Sequence, residues 1–170
     1  MENTVLVGTI DTPFGRYGAA ISPVGLGRLI FPNDPLVWCE EWAKKWWPDA
    51  KIVHEGEALD RLAQELNAYF EGKLRDFTIP LDMRGTPFQL EVWKRLLDIG
   101  YGEIRSYMQL ANQLGKPLAV RAVGTANGAN PVPILVPCHR VIGSGGGLTG
   151  YGGGLELKQK LLQHEGALML

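Results

Sequence analysis

Cys138 and His139 stand side by side in the run N-P-V-P-I-L-V-P-C-H-R-V-I, residues 130–142, a thiol and an imidazole set among prolines and apolar residues. A cysteine with an ordinary pKa of roughly 8.5 is only a few per cent thiolate at neutral pH, and a neighbouring imidazole can take its proton and support the anion. The chemistry such a pair can do is nucleophilic attack by sulfur. Consecutive side chains of an extended strand point to opposite faces, so a turn, with a bridging water, is expected here. A histidine acting as base also needs its second nitrogen held, and Glu165, in the H-E-G near the chain's end, is the carboxylate that folding could bring to it. An isolated cysteine is more often a small buried hydrophobe, and Cys39, among tryptophans on a helical pattern, is read that way. His54 and His164 are read as surface or satisfied residues.

These residues must be positioned by something, and the rest of the chain predicts an α+β protein of two parts. Short apolar runs at 5–10, 17–21 and 26–31, split by Pro and Gly turns, predict strands of a mixed sheet. Trp38, Trp42 and Trp46 at four-residue spacing predict a helix over 36–47, the stripe read as core or interdomain packing rather than a platform for stacking bases. Leu59, Leu62, Leu66 and Phe70 predict another over 59–70. A short strand is expected near Ile52 and a further one over 77–81, before a break at 82–85. The first domain is accordingly 1–82 and the second 86–170.

In the second domain Thr86, Pro87 and Gln89 form a capping box that opens a helix to about Leu97. Ser106 with Gln109 opens a short one ending near Gly115, and a third is expected over 118–127. Helix, short helix, tight turn, helix is the outline of a helix-turn-helix. The third helix is bare (Ala119, Ala122, Gly124, Ala126) except for Arg121, which suits close approach to a backbone or minor groove better than reading of base edges. The glycine-rich stretch 143–154 is read as a loop or wing, and 155–165 as a closing helix.

Composition bounds the function. With 170 residues and 45% hydrophobic content the chain can bury a real core. No apolar run approaches the roughly 20 residues of a membrane span, and no signal-peptide pattern opens it, so a cytoplasmic, membrane-free protein is expected. Its two cysteines suit a reducing compartment. No C-x-x-C or H-x-x-x-H pairing points to a metal site. The net charge of −1 hides an asymmetry: residues 1–85 hold nine Lys and Arg against thirteen Asp and Glu, residues 86–170 eight against five. The second half is the plausible DNA-facing half, with few phosphate contacts and moderate salt sensitivity.

At P-C-H-R-V the chain resembles the O6-alkylguanine-DNA alkyltransferases, the methylated-DNA-protein-cysteine methyltransferase family. The likeness extends through F-Q-L-E-V-W (88–93), S-Y-M-Q-L-A (106–111), R-A-V-G (121–124), the run around Cys138 and H-E-G (164–166), with T-P-F-G and L-N-A-Y-F-E-G-K in the first half. The resemblance implies a ribonuclease H-like first domain and a winged-helix-like second. It also implies DNA repair without a cofactor, in which a monomer bound to double-stranded DNA containing O6-alkylguanine moves the alkyl group irreversibly to its own cysteine. By position it makes Cys138 the acceptor, His139 the base acting through water, and Glu165 the group that orients His139. Arg121 would fill the gap left by the everted base, and Tyr107 would donate to the guanine ring as it departs. Asn130 would brace the active-site turn, Arg140 would support the helix-turn-helix and its DNA surface, and Tyr151 with the backbone of Gly152 would line the pocket.

Gly152 stands where the family often has a serine, which removes a side-chain contact but leaves a backbone donor; Met108 stands where a polar residue is common and Gly128 where a basic one is, which implies fewer phosphate contacts and weaker DNA affinity. Two alternatives remain beside this reading. A non-catalytic lesion-binding protein of the same shape would lack the cysteine, and a cysteine hydrolase would leave the helix-turn-helix unexplained.

Overall fold

The computed structural model describes residues 3–143 and 150–167, and its contacts divide the chain into two compact units, Met1–Arg84 and Gly85–Leu170. The architecture is α+β, as the residue pattern predicts.

In the first unit β1 (Thr4–Thr12), β2 (Gly15–Ile21) and β3 (Leu26–Ile30) form an antiparallel meander, and β4 (Lys51–Val53) joins β1 in parallel, giving the order β3-β2-β1-β4. Alternation along β1 buries Val5 and Val7, onto which α1 (Val37–Trp46) lays Cys39, Trp42 and Ala43. Cys39 is fully buried there, and burial pushes its thiol up to about 12. The ring of Trp42 lies so close to β3 that a Cβ on Gly27 would sit 1.8 Å from it, which makes glycine obligatory at that point. The tryptophan stripe is therefore only partly core, since Trp38 remains 39% exposed. α2 (Glu57–Phe70) turns Leu59, Leu62, Leu66 and Phe70 inward, and Phe70 stacks on Phe14.

The strand expected over 77–81 does not form. Leu81 makes a single bridge to Leu26, flanked by Leu26 N–H donating to Pro80 and Asp82 N–H donating to Leu26. Pro80 offers a carbonyl but no N–H, so pairing cannot propagate through it. Just beyond, the carboxylate of Asp82 accepts from Ser22, Trp47 and Arg84, which fixes the end of the unit.

The second unit is helical. α3 (Pro87–Leu96) and α4 (Tyr107–Gln113) both open on complete capping boxes, Thr86 with Gln89 and Ser106 with Gln109. α5 (Val120–Gly128) follows a turn and packs on α3 and α4, where the indole N–H of Trp93 donates to the carbonyl of Ala126 at 2.8 Å. This helix begins two residues later than the spacing predicts. Ala119 N–H closes a turn on Lys116 and leaves Leu118 outside it, 99% exposed.

α6 (Leu155–His164) ends the unit, with Glu165 as its C-cap. A two-residue parallel ladder that no periodicity could announce joins β5 (Arg105–Ser106) to β6 (Val141–Ile142). It ties the start of α4 to the chain just past His139. Part of the expected wing, residues 144–149, lies outside the described residues. No helix among the described residues is long and apolar enough to cross a membrane.

Candidate active site

Cys138, His139 and Arg140 form a single 3₁₀ turn, with exposures of 6%, 0% and 7%. Three residues per turn set consecutive side chains about 120° apart rather than on opposite faces, so neighbours in sequence can both be enclosed. The turn expected between thiol and imidazole is thus present.

The loop before it is under local constraint. Ile134 holds φ at +74°, a region in which a β-branched residue is strained. Val136 N–H to Val132 and Leu135 N–H to Pro133 hold the loop from within, and Asn130 holds it across. Asn130 Nδ2 donates to Val136 at 2.7 Å, and its Oδ1 accepts from Val132 N–H at 3.0 Å. Asn130→Ala is expected to destabilise the protein by about 1–3 kcal/mol, since it strands the buried N–H of Val132, while the Val136 carbonyl keeps its bond from the Cys138 N–H. Urea unfolding at constant slope checks this.

Glu165 comes to the turn from the end of α6. Its Oε2 is 3.0 Å from His139 Nε2, and Arg140 binds both of its oxygens, at 2.8 Å and 2.9 Å. Burial alone would raise this carboxyl, but the bonds from His139 and Arg140 hold it down at about 2. A carboxylate can only accept, so Nε2 carries the imidazole proton and Nδ1 bears the lone pair. Nδ1 is buried and meets no hydrogen-bond partner among the described residues. Burial also lowers the pKa of His139, against the pull of Glu165, so the ring is neutral and able to act as a base near pH 7.

Arg140, expected to support the helix-turn-helix and its DNA surface, is buried, spanning Glu165 and the carbonyl of Ile99 at 2.6 Å, with its guanidinium 5.8 Å from the Tyr101 ring centre. A planar five-donor fork matches two carboxylate oxygens and a carbonyl together, which accounts for arginine rather than lysine.

Burial pushes Cys138 up to about 11, opposed by the Asn130 amide and the Lys158 ammonium, so the resting site holds a thiol and not a stored thiolate. Lys158 lies at the site and was not singled out by its sequence position. It is fully buried on α6, donates from Nζ to the carbonyl of Val141 at 2.6 Å and lies 6.0 Å from the centre of the Tyr107 ring. Burial lowers its pKa to about 8, against the pull that the Cys138 sulfur exerts when ionised. A signal existed: Lys158, Leu161 and Leu162 share the inward stripe of α6, where a lysine breaks the apolar pattern.

Tyr107, half-buried at the start of α4, lies over Gly124 of α5, where an added Cβ would meet the ring at 3.8 Å, an ordinary contact. Arg121 is exposed on the same helix. Tyr151 is half-buried and Gly152 exposed, in the segment that leads into α6. Asn127 on α5 is a second residue the sequence reading passed over, with Nδ2 donating to the Cys138 carbonyl at 3.3 Å. No group of three or more potential metal ligands occurs among the described residues.

A buried thiol, a neutral imidazole and a clamped carboxylate, built into a unit with a helix-turn-helix, are the parts of a nucleophilic-cysteine protein that works on DNA. Comparison with known proteins agrees. Residues 5–83 match the ribonuclease-like domain, and residues 87–167 the DNA-binding domain, of 6-O-methylguanine DNA methyltransferase, and the chain belongs to that family. It is 60% identical over 152 residues to a methylated-DNA–protein-cysteine methyltransferase of Mycolicibacterium paratuberculosis, covering 88% of this chain and 92% of the relative. A Mycobacterium tuberculosis protein of the same name is 48% identical over 157 residues, covering 92% and 90%. The crystal structure of Mycobacterium tuberculosis OGT in complex with DNA superimposes with a TM-score of 0.81 at 44% identity, covering 95% of this chain and 92% of that one. Membership makes this protein a DNA-binding alkyltransferase of DNA repair.

Proposed function

We propose that this protein repairs O6-alkylguanine in duplex DNA by moving the alkyl group to Sγ of its own Cys138, once per molecule and as a monomer. The damaged nucleotide turns out of the duplex, and Arg121, a long side chain on an otherwise bare helix, occupies the gap. His139 Nδ1 takes the thiol proton, directly or through one water, while Glu165 and Arg140 keep the ring oriented and its imidazolium form supported. Sulfur attacks the alkyl carbon in line with the C–O6 bond. The S–C bond forms as the C–O bond breaks, the electron pair passes to guanine, and Tyr107 donates a hydrogen bond to the ring as charge develops there.

The observation that supports this best is the relay itself. The proton lies on the nitrogen facing Glu165, which turns the basic nitrogen away from the carboxylate in the residue next to the thiol. Because the resting sulfur is protonated, proton removal belongs to the reaction and not to the free protein. Tyr151 and Gly152 complete the pocket in this reading, and residues 1–82 and 86–170 are its two domains. A reducing cytoplasm suits both thiols.

Incubation with a duplex carrying O6-methylguanine is expected to add one methyl mass to the peptide containing Cys138, to a limit of one equivalent per protein. Turnover beyond one equivalent, or the label on another residue, overturns the assignment.

A further inference from the structure

Among the described residues Ile134 is the one non-glycine with a positive φ, +74°. Across it the N–H of Leu135 donates to the carbonyl of Pro133 at 2.9 Å, which closes a γ-turn of the left-handed kind, rare and strained. Glycine takes such a backbone at little cost, and a β-branched residue is among the least suited to it. Isoleucine nevertheless stands here, 2% exposed, between the buried Val132 and Val136.

The turn decides from what the reacting residue hangs. By reversing the chain it brings the N–H of Val136 back to the carbonyl of Val132 at 3.0 Å. The carbonyl of Val136 then receives both Asn130 Nδ2 at 2.7 Å and the N–H of Cys138 at 2.8 Å. That last bond closes a second γ-turn, about Pro137, with φ −82° and ψ 64°, the common inverse form. Cys138 is thus suspended from Val136 by a turn whose φ the proline ring fixes. Val136 in turn is placed by the turn at Ile134, where only a buried side chain holds the φ. A glycine there would adopt the same φ and many others, releasing the strain and the single arrangement together.

We infer that Ile134 is a positioning residue for the transfer: its strained turn, pinned by a stiff, buried, β-branched side chain, sets where the Cys138 sulfur stands against the alkyl carbon. Ile134 acts through the backbone of Val136. The inference rests on the reading of Cys138 as the alkyl acceptor. In-line displacement tolerates little error in the nucleophile's approach, and a misplacement of about 1 Å can slow a reaction about 100-fold.

The test uses the full chain carrying Ile134→Val, Ile134→Ala or Ile134→Gly. Three quantities are read: the Tm, the affinity for an undamaged duplex, and single-turnover methyl transfer from an O6-methylguanine duplex at saturating protein, well below every Tm. Both small variants melt below the parent, since each removes a buried side chain. At an ordinary position the glycine variant would melt below the alanine one. Here it is expected to melt about 4 °C or more above it, because only alanine keeps the strain. Transfer is expected to fall about 10-fold or more in both, and furthest in the glycine protein. Affinity for the undamaged duplex stays within about twofold. Ile134→Val, which keeps the branch and the turn, transfers within about threefold of the parent rate.

A merely structural role would make rate follow stability, whereas positioning by a strained turn ranks the two small variants one way in Tm and the other way in rate. Glycine melting below alanine overturns the strained turn. Transfer at the parent rate in the glycine protein, or a loss of duplex affinity as large as the loss of rate, overturns the positioning. Should neither small variant accumulate as folded protein, Ile134→Leu, of equal volume without the branch, is read instead: transfer slowed about threefold or more supports the inference, and the parent rate overturns it. Each of these results leaves transfer to Cys138 standing, and absence of transfer by the parent would instead remove the reading beneath it.

Discussion

Cys138→Ser is expected to lower alkyl transfer by at least about 10³-fold while leaving affinity for the lesion duplex nearly intact. The two side chains differ by one atom, so the 3₁₀ turn, the bond from Asn127 to the carbonyl and the fit of the pocket should all persist. What changes is the nucleophile. A hydroxyl is far less acidic than a thiol and far less polarisable, and His139, with its pKa lowered, is too weak a base to make up the difference. Single-turnover transfer and equilibrium binding, measured on the same duplex, separate the two effects. Normal repair by the serine protein would show that sulfur is not the acceptor, and a parallel loss of binding would show that the substitution disturbs more than chemistry.

Glu165→Ala is expected to be the most destabilising single change in the second unit. The carboxylate side chain is wholly buried and neutralises Arg140 while fixing His139. Its removal leaves a buried guanidinium that keeps the Ile99 carbonyl and the Tyr101 ring but has lost its counter-charge. Breaking a buried ion pair on one side costs about 3–5 kcal/mol, enough to lower the Tm of a unit of this size by roughly 15–30 °C. Transfer should fall by about 10² or more even where the variant is folded, because the imidazole loses both its orientation and the support for its charged form. Thermal scans and single-turnover rates at low temperature read the two losses separately.

The same node sets the acid limit of stability. Glu165 has a folded pKa of about 2 against an ordinary 4.5, so its stabilisation is complete above pH 4.5 and is lost as pH falls from there towards 2. His139 acts in the same direction and earlier. Its folded pKa lies below the ordinary 6.5, so the unfolded chain takes up a proton first as pH drops through that value. Acid unfolding should begin below pH 6.5 and steepen below 4.5, and in Glu165→Gln the steeper part should flatten. An unchanged acid profile in the glutamine protein would rule out Glu165 as the titrating group.

Much of the fold was legible because its cues are local. The two capping boxes, the apolar intervals of α2 and the alternation in β1 are properties of a few consecutive residues, and each element formed where those residues called for it. The strand expected over 77–81 failed for a local reason as well, the missing N–H of Pro80, which the pattern of apolar residues outweighed in the reading. Leu118 was assigned to α5 because its spacing fits a helix, but a turn closed by backbone hydrogen bonds set the helix start instead.

The sequence by itself determined the chemical kinds at the site: a thiol beside an imidazole, a carboxylate near the end, a lone arginine on a bare helix, and a helical second half to carry them. Only the tertiary structure decided their states. It buried Arg140 against Glu165, placed the imidazole proton on Nε2, kept Cys138 a thiol, and brought Lys158 and Asn127 in beside it. The reason is physical. Residue type and spacing express covalent geometry and local periodicity, whereas desolvation and the partners of a buried charge depend on segments such as α5, the 138–140 turn and α6, which meet only when the chain is folded.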